Sequence, residues 1–282
     1  MKLLHLIKVS IVSVFLLGFV SCDTKSDSDD NQTLALLALA ARQSVNLNFE
    51  TLVGGQSVTF NDTNQTVDGK TVKFKDFRYY ISEVKLIRAD GSTADVILDN
   101  ENNWQNNGVA LVDFETFKTS DTRSKVTGSV LLGNYSGIQF TVGVPDALNH
   151  LDRTTASAPL NIGSMTWSWT LGYKHANIEF SINNDAGYTQ LHLGSTTCNA
   201  APNYGCTKKF RASIQLSGQI NPSDQKIAFD VDKLLVGYSS VGAVSCMPGT
   251  GAPCDTLVQA FGLNISSGSV DSSISQRVFS LK

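Results

Sequence analysis

From Val45 the chain alternates apolar and polar residues: Val45, Leu47 and Phe49 are separated by Asn46, Asn48 and Glu50, the period of a half-buried strand. The pattern returns at Val72 and Phe74, at Phe77, Tyr79 and Ile81, at Val96 and Leu98, and at Ile138, Phe140 and Val142. It returns again at Ile178, Phe180 and Ile182 and at Phe210, Ala212, Ile214 and Leu216, and the stretch from Ile227 to Val236 is strand-like. Each set places its apolar side chains on one face. The links hold turn formers, as in Ala89-Asp90-Gly91-Ser92, Asn106-Asn107-Gly108 and Asn183-Asn184-Asp185-Ala186-Gly187. Such short links imply antiparallel neighbours, and no long amphipathic helices alternate with the strands. The pattern predicts an all-β fold, an antiparallel β-sandwich, immunoglobulin-like or similar, with long loops.

The N-terminus follows a different rule. Lys2 and Lys8 precede an apolar run from Val9 to Val20 that is short for a membrane span and ends in Phe19-Val20-Ser21-Cys22, as a secretory signal does. A small residue directly before a Cys resembles the bacterial lipobox, whose Cys carries the lipid; a plain signal peptide with Cys22 as a bystander is the alternative. Residues 1–21 are therefore read as a signal peptide and 22–43 as a lipidated Cys with a tether and short helix. Residues 44–282 form the folded domain. The tether reading rests on Asp23 to Thr33, which has no apolar residue, and the helix on LALLALAA. The expected location is the cell envelope, with the exported protein anchored by lipid to a periplasmic or outer membrane surface.

A net charge of −3 supplies no basic field for phosphates, which argues against a nucleic-acid partner. Besides Cys22 there are two cysteine pairs of equal spacing, Cys198 with Cys206 and Cys246 with Cys254. Export makes disulfides the default, and the spacing is wider than that of zinc ligand pairs. Closure within each pair is one of three possible connectivities.

Side chains for chemistry are few. Past the signal segment the only histidines are His150, His175 and His192. His150 ends the loop Val144-Pro145-Asp146-Ala147-Leu148-Asn149-His150 directly after a strand, and His192 lies in LHLGSTTC. No G-x-S-x-G elbow occurs, and Gly133-Asn134-Tyr135-Ser136-Gly137 has the wrong spacing, so a hydrolase has no warrant. Asp99, Glu101 and Asn103 mimic half of a calcium loop but lack its glycine and terminal Glu, and read as a solvated turn. Trp104 sits in a polar segment, whereas Trp167 and Trp169 flank Ser168 on one strand face, where core packing is the simple reading.

Several strings occur in one order over roughly residues 45 to 265: DFRYYISEVKL, WQNNGVALVDFE, YSGIQFTVGVPDALNH, APLN with SMTWSWTLGYK, HLGSTTC, and the two cysteine pairs with FGL. Together they resemble the MbnP-like family of exported copper-binding proteins, the four-Cys partners of a MauG-like di-haem enzyme. The resemblance implies a β-sandwich that binds copper, in some members after the partner enzyme has oxidised a tryptophan to kynurenine. His150 and His192 match recurring positions and are the implied ligands, with Met165 as a soft third. Trp104, Trp167 and Trp169 are the tryptophans that the modification would choose among. The donors suit the metal: neutral imidazole binds copper, a thioether suits the cuprous state, and kynurenine adds an aromatic amine that indole lacks. The chain departs from the family in carrying His175 after GYK in place of an aromatic residue, as either an added ligand or a surface residue. It also lacks the further cysteines that some members carry near the start. The implied role is storing or passing on copper, not an enzyme. The rival is an adhesin or structural envelope module whose histidines are incidental.

Overall fold

The computed structural model describes residues 41–282 apart from 61–62, 102, 115–120 and 169. The expected signal peptide, the lipidation site Cys22, the tether and Trp169 thus lie outside the described residues. The principal strands are β1 (Arg42–Val53), β2 (Lys70–Ile87), β3 (Val109–Asp113), β4 (Lys125–Leu131), β5 (Tyr135–Val142), β6 (Thr166–Ser168), β7 (Gly172–Ile182), β8 (Thr189–Gly194), β9 (Thr196–Cys198), β10 (Cys206–Lys208), β11 (Ala212–Ile220), β12 (Gln225–Asp230), β13 (Val244–Cys246) and β14 (Phe279–Leu281). Two short helices accompany them, α1 (Val231–Leu234) and α2 (Asp255–Gln259).

Alternation in β1 buries Val45, Leu47 and Phe49, and the strand forms the middle of a six-stranded sheet ordered β14-β12-β1-β4 and ending in Ile97–Leu98. The second sheet has eleven strands, with the main path β11-β5-β2-β7-β8-β13, β3 added to β2 and β6 to β7. The two inner faces meet as an all-β sandwich. Phe49 packs edge-on to Phe140 at 5.7 Å, Phe77 to Phe229 at 5.0 Å, and Phe140 to Phe279 at 5.2 Å between ring centroids. No helix among the described residues is long and apolar enough to cross a membrane.

Three local expectations need correction. Most pairs are antiparallel, but β1 with β12 and β8 with β13 run parallel. Their partners are far apart in sequence, so no short link dictates their direction. Val72 and Phe74, then Phe77, Tyr79 and Ile81, are not two strands but one: in β2 the pairing with β7 slips between Asp76 and Phe74, and this bulge resets which parity faces the core. The stretch from Ile227 stops being a strand at Asp230, whose carboxylate accepts the Lys233 N–H at 3.1 Å and caps α1.

Candidate metal centre

Because residues 77, 79 and 81 of β2, 176, 178 and 180 of β7, and 191 and 193 of β8 face the core, their polar neighbours point to the other side of the sheet. That side is covered too: Asp76, Arg78, Asn177, Glu179 and His192 are all at most 6% exposed. Buried charge must be paired to be tolerated. Arg78 donates from Nε and a terminal nitrogen to the two oxygens of Asp76, at 2.7 and 2.5 Å, and Asn177 donates to Asp76 at 2.6 Å. Across the strands Asn177 lies opposite both Arg78 and His192, so the cluster is built by register.

His192 completes the cluster with a notable asymmetry. Its Nε2 lies 3.1 Å from Glu179 Oε1, and a carboxylate only accepts, so Nε2 carries the proton. The other nitrogen, Nδ1, is buried and has no partner, and the Oδ1 of Asn177 is likewise unpartnered. Burial holds the imidazole below its ordinary pKa despite the pull of Glu179, so at neutral pH the ring is uncharged. A carboxylate on one nitrogen and a free lone pair on the other is the arrangement of a metal-binding histidine.

Trp167 roofs this position. Its strand β6 adds to β7, and the indole lies 6.3 Å from the His192 ring, tilted by 50°. Gly194 makes room, since a Cβ there would come within 2.4 Å of the indole. The half-buried Trp167 also lines a cleft of about 290 Å³ together with Ser195, Met247 and Pro248. The methionine at this cleft is therefore Met247, which no periodicity or spacing in the sequence marks. Met165 is fully buried in a separate apolar cluster with Tyr80, Leu160 and Tyr173, against which Trp104 packs half-buried.

His150 has a different setting. The loop after β5 turns through Leu148 N–H to Pro145 O at 2.9 Å, and Asn149 ties it to β7 by accepting the Tyr173 N–H at 3.1 Å. Gly172, at φ +77°, permits this close approach. His150 then lines a cavity of about 480 Å³ with Tyr204, Cys206, Asp146 and Lys209. Its ring stacks on Tyr204 at 5.2 Å, and its Nε2 is 3.3 Å from Cys206 Sγ and 3.3 Å from Asn149 Nδ2. Ser195 lines both this cavity and the Trp167 cleft, so the two adjoin.

The cysteines close locally, Cys198 to Cys206 and Cys246 to Cys254. The first bridge joins opposite residues of the β9–β10 hairpin; the second is buried in the core.

His175 is neither at the surface nor available as a ligand. It is fully buried, its Nδ1 accepts the Val144 N–H at 3.2 Å, and its Nε2 donates toward Lys209 O at 3.1 Å beside Ser195 Oγ at 3.2 Å. Burial pushes its pKa down to about 3, so the ring is a neutral clip between three segments. The chain turns at Asn103 and Trp104, as expected of this segment: Glu101 O accepts the N–H groups of Trp104 and Gln105, and the Glu101 carboxylate pairs with Arg123.

The model of the MbnP family matches residues 42–248. The fold is similar to that of MbnP from Methylosinus trichosporium, at a TM-score of 0.66 and 23% identity, covering 84% of this chain and 94% of that one. Comparison with curated proteins finds no match. The family match begins with β1, takes in the buried polar cluster, Trp167 and both disulfide hairpin cysteines, and ends at Pro248 beside Met247; this chain belongs to the MbnP family.

Proposed function

We propose that this chain is an exported lipoprotein that binds copper for storage or transfer, with His192 as its anchoring ligand and no turnover of its own. The observation that carries the reading is the buried, unpartnered Nδ1 of His192 beneath Trp167. A neutral imidazole lone pair already oriented by Glu179 fits copper, and the half-buried thioether of Met247 in the adjoining cleft would favour the cuprous state. Among the tryptophans, Trp167 is the one whose oxidation to kynurenine by a di-haem partner enzyme would set an aromatic amine beside His192. The family resemblance implies His150 as a second imidazole, and the cavity that it lines adjoins the Trp167 cleft at Ser195. The apolar run before Cys22 supports export and lipid anchoring at the envelope.

The test is elemental analysis of the mature protein from its native host, beside its His192→Ala variant. About one copper per chain, lost in the variant, is the expected result. Copper retained by folded His192→Ala protein would remove His192 from the site. Native protein without copper, taking up none when cuprous ion is added, would favour a contact module of the envelope.

A further inference from the structure

The Cys198–Cys206 bridge differs from its counterpart in two ways. Both its cysteines are half-exposed beside the His150 cavity, whereas Cys246 and Cys254 are 0% and 2% exposed. An imidazole also stands against it: a ring nitrogen of His150 and the two Sγ atoms all lie within 4.8 Å of one another. Thiol–disulfide exchange needs access to a sulfur. Cys206 Sγ lies 3.3 Å from His150 Nε2, so the departing sulfur stays beside an imidazole nitrogen.

The sulfurs would remain together once the bond is open. Cys198 and Cys206 are direct cross-strand partners, and their hairpin is also held by pairing of Thr196 with Lys208 and by the Asn199 N–H to Gly205 O bond at 3.0 Å. Tyr204, on the same hairpin, keeps the imidazole in place by stacking. Two thiolates and one imidazole facing an open cavity form a soft, three-donor set suited to cuprous ion.

We propose that Cys198, Cys206 and His150 form a redox-gated copper site, closed while the disulfide is intact and opened by an exogenous dithiol. A thiolate of the dithiol attacks Cys198 Sγ, the Cys198–Cys206 bond breaks, and Cys206 leaves as a thiolate beside His150. The second thiol of the reductant then displaces Cys198 from the mixed disulfide. The reductant ends as its own disulfide, two electrons have passed to the protein, and both cysteines are thiols. Cuprous ion displaces the two thiol protons and takes the Nε2 lone pair of His150. This site shares His150 with the reading above but needs neither His192 nor Trp167, so copper could enter or leave it without any change at those two residues.

The experiment uses the full mature chain carrying His192→Ala, so that the site proposed above is silent. The protein is reduced mildly with dithiothreitol, freed of reductant without air and titrated with cuprous ion against a chromophoric chelator, and the free cysteines are mapped by alkylation and mass analysis. The expected outcome is that Cys198 and Cys206 are the pair opened and that the reduced protein binds one more cuprous ion per chain than the oxidised protein. Adding Cys198→Ser and Cys206→Ser, or alkylating both thiols in the unsubstituted hairpin, should abolish the gain. Adding His150→Ala should weaken it roughly tenfold or more. Circular dichroism checks that each variant is folded. The proposal is overturned if the bridge resists the dithiol in folded protein, if Cys246–Cys254 opens first, if the opened pair adds no copper, or if the gain survives loss of both thiols.

Discussion

His175 makes the response to acid a quantitative test of the fold. In the folded protein its pKa is held at about 3, against an ordinary value of 6.5 in the unfolded chain. Between these values the unfolded state binds one proton more than the folded state. Stability is therefore at its full value above about pH 6.5 and falls as pH drops toward 3. Each pH unit inside that window costs about 1.4 kcal/mol for one such group, and the first unit is only partly felt, so lowering the pH from 7.5 to 5 should remove about 2 kcal/mol. The pKa of His192 is shifted in the same direction and adds to the loss, but it does so equally in a variant that lacks only His175. The assay is urea unfolding at both pH values for the wild type and His175→Gln, with disulfides intact. At pH 7.5 the variant should be less stable by about 1–3 kcal/mol, because the Val144 N–H and Lys209 O lose their partner in the interior. Its further loss on going to pH 5 should be smaller than that of the wild type by about 2 kcal/mol. Equal losses in the two proteins would refute the assignment of His175 as a neutral buried clip.

Three further outcomes follow from the cluster around His192. Glu179→Ala removes the acceptor at Nε2, and copper affinity measured by chelator competition should fall about 10–100-fold; an unchanged affinity would deny Glu179 its orienting role. Gly194→Ala would drive a methyl into the indole and within 2.8 Å of Tyr173 O, so stability should fall by about 1–3 kcal/mol with a changed Trp fluorescence spectrum, and a silent substitution would mean that Trp167 does not cover this spot. Arg78→Met strands the Asp76 carboxylate in the interior and should cost about 3–5 kcal/mol in denaturant unfolding, whereas a loss below about 1 kcal/mol would show that the pair is not closed to water.

Much of the sandwich was legible from local pattern, because a strand with one buried face repeats every two residues wherever it occurs. The bulge in β2 was visible only as a change of parity between Phe74 and Phe77, which alternation alone cannot distinguish from a break between strands. The site was less legible. Asp76, Arg78, Asn177, Glu179 and His192 occupy positions that alternation assigns to the outer face, and polar residues there look like a solvated surface. His192 stood out as one of few histidines and through its string, but its carboxylate partner lies on the neighbouring strand, 13 residues away in sequence. Met247 carried no periodic signal, and Met165, two residues from Trp167, packs in an apolar cluster with Tyr80 and Tyr173 and does not line the Trp167 cleft.

By itself the sequence determined the strand-rich body, the core-facing residues, the two local cysteine pairs as candidates for bridging and the short inventory of soft donors, because these depend on residue type and on neighbours within a few positions. Tertiary structure alone decided that β1 and β12 run parallel, that the outer polar face is sealed, that His175 has no nitrogen to spare, and that His150 meets a disulfide while His192 meets Trp167. Those outcomes depend on groups from separate segments arriving at one point, as when Val144, Ser195 and Lys209 converge on one imidazole, and on burial that removes competing water.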